Sequence, residues 1–285
     1  RPVSDMTSIG CHTNLWNFPE SVYHEWVYRE GVIAKLAPIV DSTTVYPMRP
    51  SDGTVVGVGL HDSSAAVIPY LRTVEEPFAL ISTGTWCITI NPFNISPLTA
   101  SELRQDCLCY LSYEGRPMKA SRLFAGHDHD EQVRRIAAHF NRSIASATMV
   151  AFDRACADAL AARRPARAGY ATIPLAASAF AGRQPGDFAN FEEAYHCLLL
   201  DIMDQQVHSA RLVLDCTGVR KILVDGGFSR NQVYMHLLAA AFPGMEVFAA
   251  CVPQATAMGA AITIHHRWNK RPLPQDLIEW KRYPV

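Results

Sequence analysis

The chain has 285 residues, enough for two modest domains or one large one. Its 26 Lys and Arg residues against 27 Asp and Glu leave a net charge of −1, which excludes the basic footprint of a nucleic-acid binder. With 49% apolar and 19% charged residues it reads as an ordinary globular protein, and no apolar run is long enough to span a membrane.

Residues 5–16 read as a loop and strand of an architecture already under way. Residues 19–30 are predicted to be helical, with Pro19 in the first turn. A short strand is expected near 43–46, a turn at Asp52-Gly53, and a buried strand over 55–60. Residues 78–82 and 86–91 read as two strands joined by Thr83-Gly84-Thr85, a hairpin with glycine in its loop. A second hairpin pairs 107–113 with 117–120 around Glu114-Gly115-Arg116. Helices are expected at 129–140, at 148–162 and, longest of all, at 191–215. In this last segment Ala194, Leu198, Met203, Val207, Ala210 and Leu214 recur at three to five residues. The stretch 163–187, rich in Ala, Arg, Pro and Gly, reads as a long loop. A strand at 221–224, a helix from about 229 to 242, a strand at 245–249 and a helix at 255–268 complete an α/β alternation. Eight scattered cysteines, with only Cys107 and Cys109 close together, point to reduced thiols and a cytoplasmic location.

Three segments carry the chemistry. Val224-Asp225-Gly226-Gly227-Phe228-Ser229-Arg230-Asn231 places two glycines at a strand-to-helix turn. There the backbone can take angles that other residues resist, and a nucleotide can lie against it. A plain tight turn is the competing reading. Val58-Gly59-Leu60-His61-Asp62-Ser63-Ser64-Ala65-Ala66 puts a carboxylate after a strand with little bulk around it, where it can face a small polar ligand. Asp62 could equally cap the helix that follows, and both roles can coexist. The third segment is Leu80-Ile81-Ser82-Thr83-Gly84-Thr85-Trp86-Cys87-Ile88, whose glycine and hydroxyls suit phosphate oxygens.

Taken together and in this order, these motifs resemble the FGGY family of carbohydrate kinases. Ala255-Thr256-Ala257-Met258-Gly259-Ala260-Ala261 matches that family's closing pattern, and the His-Asp and Gly-Thr-Trp variants look most like its rhamnulokinase and fuculokinase branch. The resemblance implies an α/β fold of the actin-like ATPase (ribonuclease H-like) type, with two lobes and a cleft between them. Residues 1–72 would be the end of the N-terminal, sugar-binding lobe, and 73–285 the C-terminal, nucleotide-binding lobe. A family member opens with a strand and an Asp-x-Gly-Thr turn that nothing here matches. The first lobe is therefore expected to be incomplete, short of a domain-sized piece of about 150 residues.

The resemblance further implies ATP-dependent phosphorylation of a ketose or deoxyketose resembling L-rhamnulose or L-fuculose, with Mg²⁺ on the phosphates. Asp62 would be the proton acceptor. His61, Ser63, His12 and Thr13 would lie near the sugar, although His61 and His12 also fit ordinary packing. Gly84, Thr85 and Gly126 would meet the phosphates, while Gly226, Gly227 and Asn231 would hold the adenosine. Asn231 could instead face solvent in a first helical turn. Gly126-His127-Asp128-His129-Asp130 has alternating His and Asp, but helix capping by Asp128 or Asp130 outweighs a metal site, and none is expected. The partners are then a small sugar and ATP, with neither nucleic acid nor membrane, and a homodimer as an allowed assembly. A non-catalytic nucleotide- or sugar-binding module, or a kinase fragment, is the alternative. His61-Asp62 with Thr83-Gly84-Thr85-Trp86 argues against a hexokinase or acetate kinase relative.

Overall fold

The computed structural model describes residues 2–49, 52–163, 178–274 and 276–284. Its centre is a seven-stranded sheet: β1 (Phe78–Thr83), β2 (Cys87–Asn91), β3 (Cys107–Leu111), β4 (Pro117–Leu123), β5 (Lys221–Gly226), β6 (Glu246–Cys251) and β7 (Glu279–Tyr283). Across the sheet the order is β7-β6-β5-β1-β2-β4-β3. β5 runs parallel to β1 and β6, and every other neighbouring pair is antiparallel. The two predicted hairpins are present, β1–β2 and β3–β4, the latter turning at Gly115 with φ +75°.

Both faces of the sheet are covered, which is why β1 and β5 read as unbroken apolar runs. Side chains alternate between the faces. Ala79, Ile81, Ile222 and Val224 meet α2 (Ala125–His139), α4 (Phe191–Leu214) and α5 (Gln232–Ala241) through Val133, Leu198 and Leu238. Phe78, Leu80 and Leu223 point the other way, toward Val67 and Tyr70 of α1 (Asp62–Thr73) and Met258 of α6 (Ala255–Thr263). The intervening α3 (Arg154–Arg163) packs on α4. α4 starts where Asn190 accepts from Glu193 N at 2.8 Å, with Glu192 and Glu193 in its positive first turn.

Several elements differ from expectation. Residues 19–30 are not one helix. Asn17 binds Glu20 and Ser21 takes φ +53°, so Val22–Tyr23 folds back on Trp16–Asn17, and the helix is confined to Glu25–Arg29. The strand expected at 55–60 is Thr54–Gly57, paired among the described residues only with Val45–Arg49, and Val55 and Val56 are exposed rather than buried. Residues 148–162 divide into a 3₁₀ turn, Ile144–Met149, and α3, because Phe152 stacks on His236 and Asp153 caps through Cys156 N. The helix at 255–268 ends at Thr263 and a separate turn follows, His265–Trp268. The loop expected at 163–187 lies largely outside the described residues.

One core contact is unbalanced. Tyr234 is fully buried, and its hydroxyl has no hydrogen-bond partner among the described residues. Its ring stacks on Phe228 at 4.6 Å, a contact that phenylalanine would keep. Tyr234→Phe is therefore expected to raise unfolding stability by about 1 kcal/mol, the lower end of the penalty for an unmade buried hydrogen bond. Urea unfolding measures this; a loss of stability would show that the hydroxyl is satisfied.

Candidate functional site

The site forms where three chain reversals meet at one end of the sheet. The first is the β1–β2 turn, closed by Gly84 N donating to Trp86 O at 2.8 Å. The second is the turn after β5. Gly226 there has φ +86°, and a Cβ on it would collide with the Thr83 carbonyl. Parallel pairing places Gly226 opposite Thr83 and so brings the two turns side by side. The Thr83 hydroxyl joins them by donating to Asp225 O at 2.5 Å and accepting from Phe228 N at 3.0 Å. Asp225 itself accepts from Gly226 N at 2.7 Å, and burial raises its carboxyl above the ordinary value.

The third reversal is the start of α2. This helix begins at Ala125, a turn earlier than expected, with Phe124 at its N-cap and no side-chain cap. Capping by Asp128 or Asp130 is thus corrected. An alternative partner explains the shift, since His127 N donates to Thr85 O at 3.1 Å and satisfies one of the helix's free N–H groups. The approach is close enough that a Cβ on Gly126 would occupy the place of the Gly84 carbonyl. Glycine at 126 is therefore demanded by packing of the helix on the hairpin.

Between these reversals, α4 and residues 147–150 lies a cleft of about 600 Å³. Gly84, Thr85, Gly126, Gly227 and Asn231 all line it, although they come from three distant segments. Gly226 supports the wall from behind through its contact with Thr83. Gly227 has open space around its Cβ position, so the cleft begins there. Asn231 does not simply face solvent: it caps α5 by accepting from Tyr234 N at 3.1 Å and donates to Tyr195 Oη at 2.6 Å. His129 and Tyr195 also line the cleft, and their rings give no periodic signal that sequence reading could use.

The side chains of residues 127–130 diverge. His127 stacks on Phe124, Asp128 accepts from Gln132, and His129 bonds Tyr195. Among the described residues no three His, Cys, Asp or Glu side chains converge as a metal site.

Asp62 and His61 do not line this cleft. His61 is the N-cap residue of α1 and Asp62 its first helical residue, so Asp62 does not cap α1. Its exposed carboxylate accepts from Ser63 N at 2.6 Å and from Ser63 Oγ at 3.3 Å. His61 Nε2 stands 3.3 Å from Asp62 Oδ1, and burial pushes the imidazole below its ordinary pKa, partly offset by Asp62. The rings of His12, His61 and Tyr110 meet edge to face at 5.2–5.5 Å, which brings His12 to the same place. Thr13 is exposed, but its hydroxyl is engaged locally, donating to Ile9 O at 2.5 Å and accepting from Leu15 N at 3.1 Å.

Two further residues hold this turn and have no local signature. Thr7 Oγ1 accepts from His61 N at 2.8 Å and donates to Asp5, whose buried carboxylate also accepts from Ser8 N and from Ser42 Oγ at 3.0 Å. α1 is pressed onto α6 so closely that a Cβ on Gly259 would strike the Ala65 carbonyl. Thr256 Oγ1 approaches Asp62 O at 3.5 Å.

Antiparallel strands continued by parallel β–α units, with ligand-sized turns at one sheet end, define an α/β lobe of the actin-like ATPase type. The chain belongs to the carbohydrate kinase FGGY family, whose C-terminal domain matches residues 75–272. A carbohydrate kinase from Novosphingobium aromaticivorans superposes on all of the chain with a TM-score of 0.71 at 23% identity, over 62% of its own length. A ligand-bound xylulose kinase from Lactobacillus acidophilus gives a TM-score of 0.71 at 16% identity, over 99% of this chain and 60% of its own. A gluconate kinase from the same organism gives 0.69 at 14% identity, again over 99% and 60%. At these identities the likeness is one of fold, and the chain spans about three fifths of each structure. No curated protein matches the chain by sequence. Among the described residues no helix is long and apolar enough to cross a membrane.

Proposed function

We propose that the chain is the nucleotide-binding part of an ATP-dependent kinase acting on a ketose or deoxyketose of the L-rhamnulose or L-fuculose kind. The observation that carries this reading is the cleft itself. Five positions expected to meet ATP, on three separate segments, line one cavity of nucleotide size. The backbone of Gly227 and the first turn of α2 offer an adenosine and its phosphates a surface without bulky side chains. Residues 73–285 are assigned to the nucleotide lobe and 1–72 to the end of the sugar lobe.

Asp62 is assigned as the proton acceptor for the attacking sugar hydroxyl. Its exposed carboxylate, at the positive end of α1, is free of any cation from a Lys or Arg side chain among the described residues. His61, Ser63 and His12 would contact sugar hydroxyls. Thr13 is retained as a wall residue, because its own hydroxyl is committed. Mg²⁺ would be held chiefly by the nucleotide's phosphates, with the Asp130 carboxylate of the protein at the cleft wall and no cluster of three ligating side chains among the described residues. When bound, it would neutralise charge on those phosphates.

Sugar-dependent ADP release by the protein against L-rhamnulose, L-fuculose, xylulose, gluconate and glycerol tests the reading. Preference for the first two supports the branch assignment. ATP binding without sugar-dependent ADP release would instead establish a binding module.

Thr85 offers a second check. It sits exposed at the cleft, whereas the neighbouring Thr83 hydroxyl is consumed in tying the turns together. Thr85→Val is expected to lower turnover by about 1.5–3 kcal/mol, the worth of a hydrogen bond to a charged group, with little change in melting temperature. Thr83→Val should show the reverse pattern. Paired kinetics and thermal unfolding of the two variants read this directly.

A further inference from the structure

One wall of the cleft carries a chain of polar side chains that phosphate or sugar binding does not require. Its polarity can be worked out from one end. Tyr234 N, a backbone N–H, can only donate, so the Asn231 atom facing it at 3.1 Å is Oδ1. The other atom, Nδ2, therefore donates to Tyr195 Oη at 2.6 Å. Tyr195 Oη, having accepted there, is free to donate its proton to His129 Nε2 at 3.0 Å. His129 then carries its own proton on Nδ1, which lies 3.3 Å from Asp130 Oδ1. The three side chains come from α2, α4 and the N-terminus of α5, and all line the cleft.

We propose that Tyr195 and His129 are positioning residues that hold the Asn231 amide at one orientation toward the bound nucleotide. Asn231 has its oxygen committed to the helix cap and one Nδ2 hydrogen committed to Tyr195. Its remaining hydrogen is a fixed donor, suited to an acceptor nitrogen of a purine ring and unsuited to an exocyclic amine. Tyr195 is held in turn, 1% exposed and stacked on Phe191 at 6.1 Å. His129 meets Phe228 edge to face at 5.1 Å, and burial keeps its imidazole below the ordinary pKa against the opposing pull of Asp130 and Asp128. A neutral ring is the form that can accept from the tyrosine. This inference rests on the cleft being a nucleotide site.

The test uses ADP as the probe and the 285-residue chain as the protein. Tyr195→Phe removes both hydroxyl bonds and keeps the ring stack and the Asn231 cap. It is expected to weaken ADP binding about tenfold in calorimetry, as for one lost hydrogen bond, with an unchanged melting temperature. His129→Leu should do the same, whereas His129→Gln, whose amide oxygen can accept from the tyrosine, should restore most of the affinity. In the absence of ADP, the Asn231 side-chain NH₂ signals in the NMR spectrum should move in Tyr195→Phe and in His129→Leu. ADP affinity equal to the parent in Tyr195→Phe overturns the proposal, as does equal loss in both His129 variants. Asn231 signals that move in both variants while the parent chain binds no ADP would overturn the nucleotide reading instead, leaving the relay with nothing to position.

Discussion

Asp62→Asn is expected to reduce turnover at least about 10²-fold, the lower range for a positioned general base, while sugar affinity falls much less. Asparagine keeps the size of the side chain and can still accept from Ser63 N, the short local bond Asp62 makes at 2.6 Å. It cannot take a proton from the sugar hydroxyl. The structure makes this substitution informative because α1 is not capped by Asp62: His61 holds the N-cap position and no side chain closes it. The bland explanation for an aspartate at this place, helix capping, would have confused a kinetic defect with a folding one. Beyond its local bonds to Ser63, which asparagine can still accept, the exposed carboxylate adds a modest interaction with the helix dipole, about 0.3–1 kcal/mol. Turnover and melting temperature should therefore separate, with a large loss in the first and at most a small shift in the second. Near-normal kcat in Asp62→Asn would remove it as the base.

The adjacent glycines after β5 are expected to fail in opposite ways. Gly227→Val should abolish most ATP binding in a folded protein. Nothing lies within 4 Å of its Cβ position and its φ is not in the left-handed region, so the protein tolerates a side chain. The nucleotide proposed to lie there does not. Gly226→Val should instead destabilise the fold. Its φ of +86° is unfavourable for a branched residue, and its Cβ would meet the Thr83 carbonyl and hydroxyl. A cost of several kcal/mol, of the order of a core clash added to backbone strain, is expected. Circular dichroism melts and equilibrium ATP binding on both variants decide the matter. Unchanged ATP affinity in well-folded Gly227→Val would take this turn out of the site.

Much of the architecture is legible in local residue patterns. The apolar runs of β1 and β5, the glycine-centred hairpins and the long recurrence of apolar residues every three to five positions in α4 each correspond to an observed element. They could be read because their signals are local: a strand buried on both faces is apolar throughout, and a helix packed on a sheet repeats its apolar residues about every turn. Where local signals conflict with distant pairing, the reading failed. Residues 19–30 have helical composition, yet Val22–Tyr23 pairs with Trp16–Asn17 through the turn that Ser21 makes. Val55 and Val56 look like core, yet their strand stands outside the central sheet with one partner among the described residues.

The same division runs through the site. By sequence alone, the order of the motifs and the family they resemble were determined, and candidate residues for ATP and a sugar were named. Their distinct duties were decided by tertiary structure, because each depends on an atom far along the chain. Gly126 is glycine for the Gly84 carbonyl, while Gly227 is glycine for open space. Thr83 serves Asp225 and Phe228, some 140 residues away, while Thr85 beside it faces the cleft. Thr7, anchored on Asp5, reaches His61, and Tyr195 reaches both His129 and Asn231. A residue type states which bonds a side chain can make; only the fold states which donor or acceptor stands within 3 Å of it, and that is what separates a ligand contact from a structural one.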